Sequence, residues 1–124
     1  MMQENKNGFS LIELLVVISI MGVIMSVSLF ALQGARSSSR DARRKADLEL
    51  IRSGLEIYKS DCNKYPPGLV WGGSLTGSCP TSNTYISLIP KDPLGSNYSY
   101  SSTTATYTLC ATLEASGQWC VYNP

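Results

Sequence analysis

Histidine is absent from the sequence. Its absence excludes serine–histidine hydrolysis, histidine metal ligation and the usual proton shuttle near neutral pH. No G-x-S-x-G turn, phosphate-binding glycine loop or carboxylate cluster takes its place, so the chain reads as a non-enzyme without a cofactor. A charge excess of one sign is also lacking: ten Lys and Arg against nine Asp and Glu give a formal net charge of +1. That balance leaves no electrostatic footprint for nucleic acid. The four cysteines, Cys62, Cys79, Cys110 and Cys120, include no C-x-x-C pair, so zinc spacing is missing and no metal site is expected.

What the sequence does contain is one long apolar run. From Phe9 to Leu32 the only charged residue is Glu13. About 20 such residues, rising about 1.5 Å each as a helix, span the hydrocarbon of a bilayer. A secretory signal peptide is the plain alternative, but the run exceeds the about 7 to 15 residues of such a segment and no A-x-A-like site closes it. Glu13 is then an acid in a place where acids are costly, and it calls for a partner or for a reach to the headgroups from its near-terminal position. Gly22 is the other notable residue of the run. A small residue lets helices approach closely in lipid, while glycine weakens a helix by about 1 kcal/mol against alanine.

The charges around the run conflict with the cysteines. Lys6 precedes it, whereas Arg36, Arg40, Arg43, Arg44 and Lys45 follow, so charge bias taken alone puts the C-terminal part in the cytoplasm. An even cysteine count beside an export-type segment instead favours disulfides in an oxidising compartment. The cysteines carry more weight, because Asp41, Asp47 and Glu49 interleave with the basic cluster. Four cysteines allow three pairings. Cys62 with Cys79 and Cys110 with Cys120 are favoured because each closes a short local loop; free buried thiols are the alternative.

Beyond the run, "RSSSRDARRKADLELIRSGLEIYKSDC" continues as a helix of different character. Leu48, Ile51, Leu55, Tyr58 and Cys62 recur at steps of three and four, which makes one apolar face to cover a sheet. Arg43 with Asp47, Lys45 with Glu49 and Arg52 with Glu56 stand at i,i+4 on the other sides, as on a solvated or subunit-facing surface. Anionic lipid headgroups suit the Arg40 to Lys45 cluster better than nucleic acid does. An unbroken helix from Phe9 to about Lys59 is about 75 Å long. So long a rod must lie in membrane or against other rods. "NKYPPGLVWGGSLTGSCPTSNTY" reads as an irregular loop, and strands follow. "TYTLCATLEASGQWCVY" reads as a hairpin turning at Ala115, Ser116 and Gly117, with Cys110 nearly opposite Cys120. In "IPKDPLGSNYSY", Asp92 and Pro93 set a turn, Gly95 permits a positive φ, and Tyr98 and Tyr100 share a strand face.

The stretch "GFSLIELLVVISIMG" resembles the processing site of the type IV pilin superfamily, with Gly8, the aromatic Phe9 and Glu13 at the family spacing. "LEIYKSDCNKYP" and "IPKDPLGSNYSY" are similar to segments of the major pseudopilin of type II secretion. The resemblance implies cleavage after Gly8 by a prepilin peptidase, N-methylation of Phe9, and neutralisation of Glu13 by the new N-terminal amine of a neighbouring subunit. An isolated subunit would lack that partner. Two departures are visible: Asn7 stands where many members have Lys or Arg, and Phe30 where many have proline. Major pseudopilins bind calcium in the loop after the D-P-x-G segment through Asp side chains. Here no Asp follows Asp92 and Glu114 is the only acid there, so the resemblance leads to an absent calcium site, with the disulfides holding the region.

The expected fold is α+β: a long N-terminal helix, transmembrane in its first half and amphipathic in its second, packed on a small antiparallel sheet. The expected divisions are a cleaved leader over 1–8, an assembly helix over 9–32, its amphipathic continuation over 33–61 and a disulfide-bonded domain over 62–124. The implied function is a structural subunit of a type IV pilus or a pseudopilus. Its implied partners are identical subunits in a helical filament, the peptidase, an assembly ATPase and a platform membrane protein. The precursor would sit in the cytoplasmic membrane with its C-terminal domain outside the cytoplasm, and the filament would be periplasmic or extracellular. The competing reading is a monomeric membrane-anchored module that binds DNA or glycan through its Tyr- and Trp-bearing surface.

Overall fold

A computed structural model of the chain describes residues 8–124. The leader positions Lys6 and Asn7 lie outside the described residues. One helix, α1, runs over Leu11–Cys62, and the chain divides into two compact units between Arg36 and Ser37.

In the first unit every described large hydrophobic from Leu11 to Leu29 is exposed. This part of α1 is long and apolar enough to cross a membrane, and none of it is buried in the protein. Its serines need no external partner. The Oγ atoms of Ser19, Ser26 and Ser28 donate to the carbonyls of Val16, Val23 and Ile24 at 2.8, 2.7 and 2.9 Å, an arrangement compatible with lipid. The helix continues unbroken through Gly22.

The second unit holds the core. Leu48, Ile51 and Leu55 on α1 are fully buried and Tyr58 is nearly so, which is the apolar face expected from their spacing. They pack with Tyr65, Leu75, Ile86, Ile89, Tyr98, Tyr107, Leu109, Ala111 and Val121 into one cluster. The helix passes the expected Lys59 and ends at Cys62. Asn63 stops it in the left-handed region at φ 54°, a conformation asparagine tolerates, and its N–H donates to the Lys59 carbonyl at 2.8 Å.

Two sheets lie against this face rather than the single one expected. The first is a hairpin of β1 (Leu75–Ser78) and β2 (Ser82–Ile86), inside the stretch read from sequence as irregular loop. Its strands are short and lack clean alternation. Tertiary contacts fix it instead: Tyr58 meets Tyr85 edge-on at 5.1 Å, Tyr85 donates to Asp61, and Cys79 is bonded to Cys62 at the helix end. Gly54 permits the close approach, since a Cβ there would overlap the Ile86 side chain. The second sheet has the order β3 (Ser99–Ser102), β4 (Tyr107–Thr112), β5 (Gln118–Tyr122), antiparallel throughout. Cys110 pairs with Cys120 across β4 and β5 and the two are bonded, as the hairpin reading required.

Because Leu55 is fully enclosed, Leu55→Ala should lower the stability of the folded domain by about 2–5 kcal/mol, read from chemical denaturation of the purified protein. A change well under 1 kcal/mol would mean that this face is not the core.

Candidate functional site

Two sites carry the residues of interest, one in each unit. At the N-terminal site Gly8, Phe9 and Ser10 precede the helix and are exposed, Phe9 by 85%. Ser10 opens α1: its carbonyl accepts the N–H groups of Glu13 at 3.1 Å and Leu14 at 3.3 Å. The Glu13 carboxylate turns back and accepts the Ser10 N–H at 3.0 Å. This is the acidic half of a capping box, which satisfies one of the backbone donors that a helix leaves unpaired at its start. Within the subunit Glu13 thus has a local, neutral hydrogen-bond donor, distinct from the neighbouring amine that the resemblance implies, and its signal was legible as S-x-x-E at Ser10 to Glu13. Phe9, Ile12, Glu13, Val16 and Val17 together frame a recess of about 330 Å³.

The second site lies where two turns meet one turn of α1. Arg44 donates through Nε and Nη2 to both oxygens of Asp92, at 2.5 and 3.0 Å, and through Nη1 to Asp41 at 2.7 Å and Glu114 at 2.9 Å. Arg40 grips Glu114 through both of its oxygens at 2.6 Å each. Asp41 also accepts the N–H groups of Glu114 and Ala115 at 2.9 and 3.0 Å, and Asp92 accepts that of Leu94 at 2.8 Å. The turn at Asp92 forms as its residues predict, with Gly95 at φ 90°.

Whereas Arg36, Arg43 and Lys45 are exposed, Arg44 and Asp41 are buried, so these two depart from the solvated or subunit-facing surface expected of the charge run. Their i,i+3 spacing offered no sign that the turns beyond residue 90 would cover them. Of the proposed helix pairs, Arg52 turns to Glu49 at 3.5 Å, while Glu56 accepts the Tyr65 hydroxyl. Asp47 accepts the Tyr98 hydroxyl at 2.7 Å, and Lys45 lies over the Trp119 ring at 4.7 Å from its centre.

The cluster sets the protonation of its members. Arg40, with Arg44 behind it, pulls the Glu114 carboxyl down to about 2. Asp92 is held below the usual carboxylate range by Arg44, and Asp41 by the Glu114 N–H, the Ala115 N–H and Arg44. Burial, with Asp47 at its hydroxyl, pushes Tyr98 up.

The residues do not fit the calcium ion that the family resemblance would place here. Calcium takes about 6–8 oxygen ligands. The turn after β4 instead directs two N–H donors into the cluster, and both Glu114 oxygens are held by guanidinium groups. Among the described residues no group of three or more His, Cys, Asp or Glu side chains is arranged to hold a metal. Nor do the disulfides fasten this turn to the helix: Cys110–Cys120 joins β4 to β5, and Cys62–Cys79 lies at the far end of α1.

Residues 31–117 match the family described as type II secretion system (T2SS), protein G. The chain belongs to that family. Residues 4–29 match the prokaryotic N-terminal methylation motif, which covers Gly8, Phe9, Glu13 and Gly22. Among curated proteins the chain is similar to type II secretion system core protein G of Dickeya chrysanthemi, 30% identical over 105 residues that cover 78% of this chain and 69% of the relative. The protein of the same name from Klebsiella pneumoniae is 32% identical over 103 residues, 77% of this chain and 74% of the relative. That from Vibrio cholerae serotype O1 is 30% identical over 124 residues, 93% and 84%. No solved structure gives a significant match.

For this protein G family member, the depressed carboxyls fix how stability follows pH. In the unfolded chain these groups protonate near pH 4, and in the folded protein only at lower pH, about 2 for Glu114. The unfolded state thus binds more protons between those limits, so the contribution is complete above about pH 4 and is lost as the pH falls toward 2. The melting temperature should accordingly be flat from neutral pH to about 5 and fall below about 4. In an Arg40→Gln, Arg44→Gln double variant the acid-side fall should be shallower; an identical profile would remove the cluster as its cause.

Proposed function

We propose that the chain is a structural, non-catalytic subunit of a type II secretion pseudopilus, cleaved after Gly8, N-methylated on Phe9 and polymerised through its N-terminal helix. The observation that carries this reading is the Gly8, Phe9 and Glu13 motif at the exposed entrance of an apolar helix whose large side chains find no cover within the subunit. So much unburied apolar surface needs either lipid or copies of the same helix. Membership of the protein G family favours a pseudopilus over a surface pilus.

On this reading residues 1–8 are the leader, 9–32 the membrane and assembly segment, 33–61 its continuation and 62–124 the surface domain. Identical subunits, a prepilin peptidase, an assembly ATPase and a platform membrane protein are the partners. Before assembly the apolar helix anchors the subunit in the membrane with the disulfide-bonded domain on the oxidising, periplasmic side. The Glu13 carboxylate then has two states. It caps its own helix in the lone subunit, and in the filament it meets the positive amine that cleavage creates on a neighbour. Gly22 lets adjacent helices come close.

Mass analysis of the protein from native membranes should give a mature chain starting at Phe9 with one added methyl group. A chain still starting at Met1, or cut near Ala35, would reject the processing pathway. Glu13→Gln separates the two states, because an amide oxygen can still accept the Ser10 N–H but carries no charge. The variant should insert and fold as the wild type does yet fail to form filaments on overexpression. Filaments at wild-type abundance would reject the role of the Glu13 charge in assembly, whereas full function without any filament would favour the monomeric binding module.

A further inference from the structure

We propose that Arg44, seconded by Arg40, is a built-in cation that does here what a bound divalent ion would otherwise do: it ties the β4–β5 turn and the Asp92 turn to α1 and makes the domain independent of calcium. Three observations lead there. The first is charge. Two guanidinium groups supply two positive charges to Asp41, Asp92 and Glu114, as one divalent ion would, and leave the group with a single negative charge.

The second is reach. Arg44 bonds carboxylates 3, 48 and 70 residues away in sequence, so one side chain joins helix and both turns. With its side chain 3% exposed, water screens these bonds little, and removing it would leave buried carboxylates facing one another. The third is polarity. The turn offers Asp41 its Glu114 and Ala115 N–H groups, so Asp41 acts as the counter-anchor on the helix while Glu114 is drawn outward to Arg40. No such turn needs a cation to gather its oxygens.

The test uses the full chain in detergent micelles, melted in a chelator or in millimolar calcium chloride, with sodium chloride matching ionic strength. The wild type should melt at the same temperature in both. Arg44→Gln should melt lower by about 5 °C or more in chelator and regain part of that loss in calcium, because the freed carboxylates then accept the ion. A wild type stabilised by calcium would overturn the proposal, as would an Arg44→Gln variant that melts like the wild type or gains nothing from calcium. Should Arg44→Gln fail to fold, Arg40→Gln at the half-exposed rim decides. A smaller loss partly recovered by calcium supports the proposal, and an unchanged melting temperature in both conditions rejects it.

Discussion

The guanidinium of Arg44 is the point on which the folded domain converges. Helix, Asp92 turn and β4–β5 turn each bring a carboxylate to it, and each turn also has its backbone N–H groups satisfied by one of those carboxylates. Without it, Asp41, Asp92 and Glu114 would repel one another at the very place where the sheet has to meet the helix. A buried ion network of this kind is not in itself a strong source of stability, since desolvation offsets much of the attraction. What it supplies is directionality: in this placement of the two turns each of the three carboxylates receives a guanidinium donor.

Around that point the domain is closed by aromatic contacts and covalent bonds rather than by a large aliphatic core. Tyr65 meets Tyr107 edge-on at 4.8 Å, Trp71 meets Tyr98 at 5.8 Å, and the Tyr100 and Ser102 hydroxyls both donate to the Pro66 carbonyl. Tyr65, Tyr98 and Tyr100 pack their rings while their hydroxyls find partners, whereas the buried Tyr107 hydroxyl has none among the described residues. The two disulfides act at opposite ends, one joining the helix terminus to the β1–β2 hairpin and the other joining β4 to β5. A small domain outside the reducing cytoplasm gains most from such cross-links.

The helix serves two surroundings in one continuous element. Leu48, Ile51 and Leu55 are enclosed by protein, whereas Leu11, Ile18 and Ile24 are open and ask for lipid or for other helices. The functional reading rests on that difference. The residues that would mediate processing and assembly stand where nothing of the subunit itself covers them, whereas the apolar stripe of the second half is enclosed by the sheets.

Local pattern was enough for much of this. The apolar span, the stripe from Leu48 to Tyr58, the turn at Asp92 to Gly95 and the register placing Cys110 opposite Cys120 follow from periodicity and turn chemistry, which act over a few residues. The Gly8, Phe9 and Glu13 motif was likewise readable, and so was the S-x-x-E cap, although its meaning lay in a hydrogen bond and not in a composition. The β1–β2 hairpin was hidden because its strands lack alternation and are held by Tyr58, Cys62 and Asp61 on the helix. Arg44 was hidden for the same reason on a larger scale. By itself the sequence determined the helix, its membrane-compatible half and the hairpin bearing the disulfide. Only the tertiary structure decided that a charged residue on a seemingly solvated face would be buried, because its partners lie 48 and 70 residues away and burial is a property of what folds over a residue.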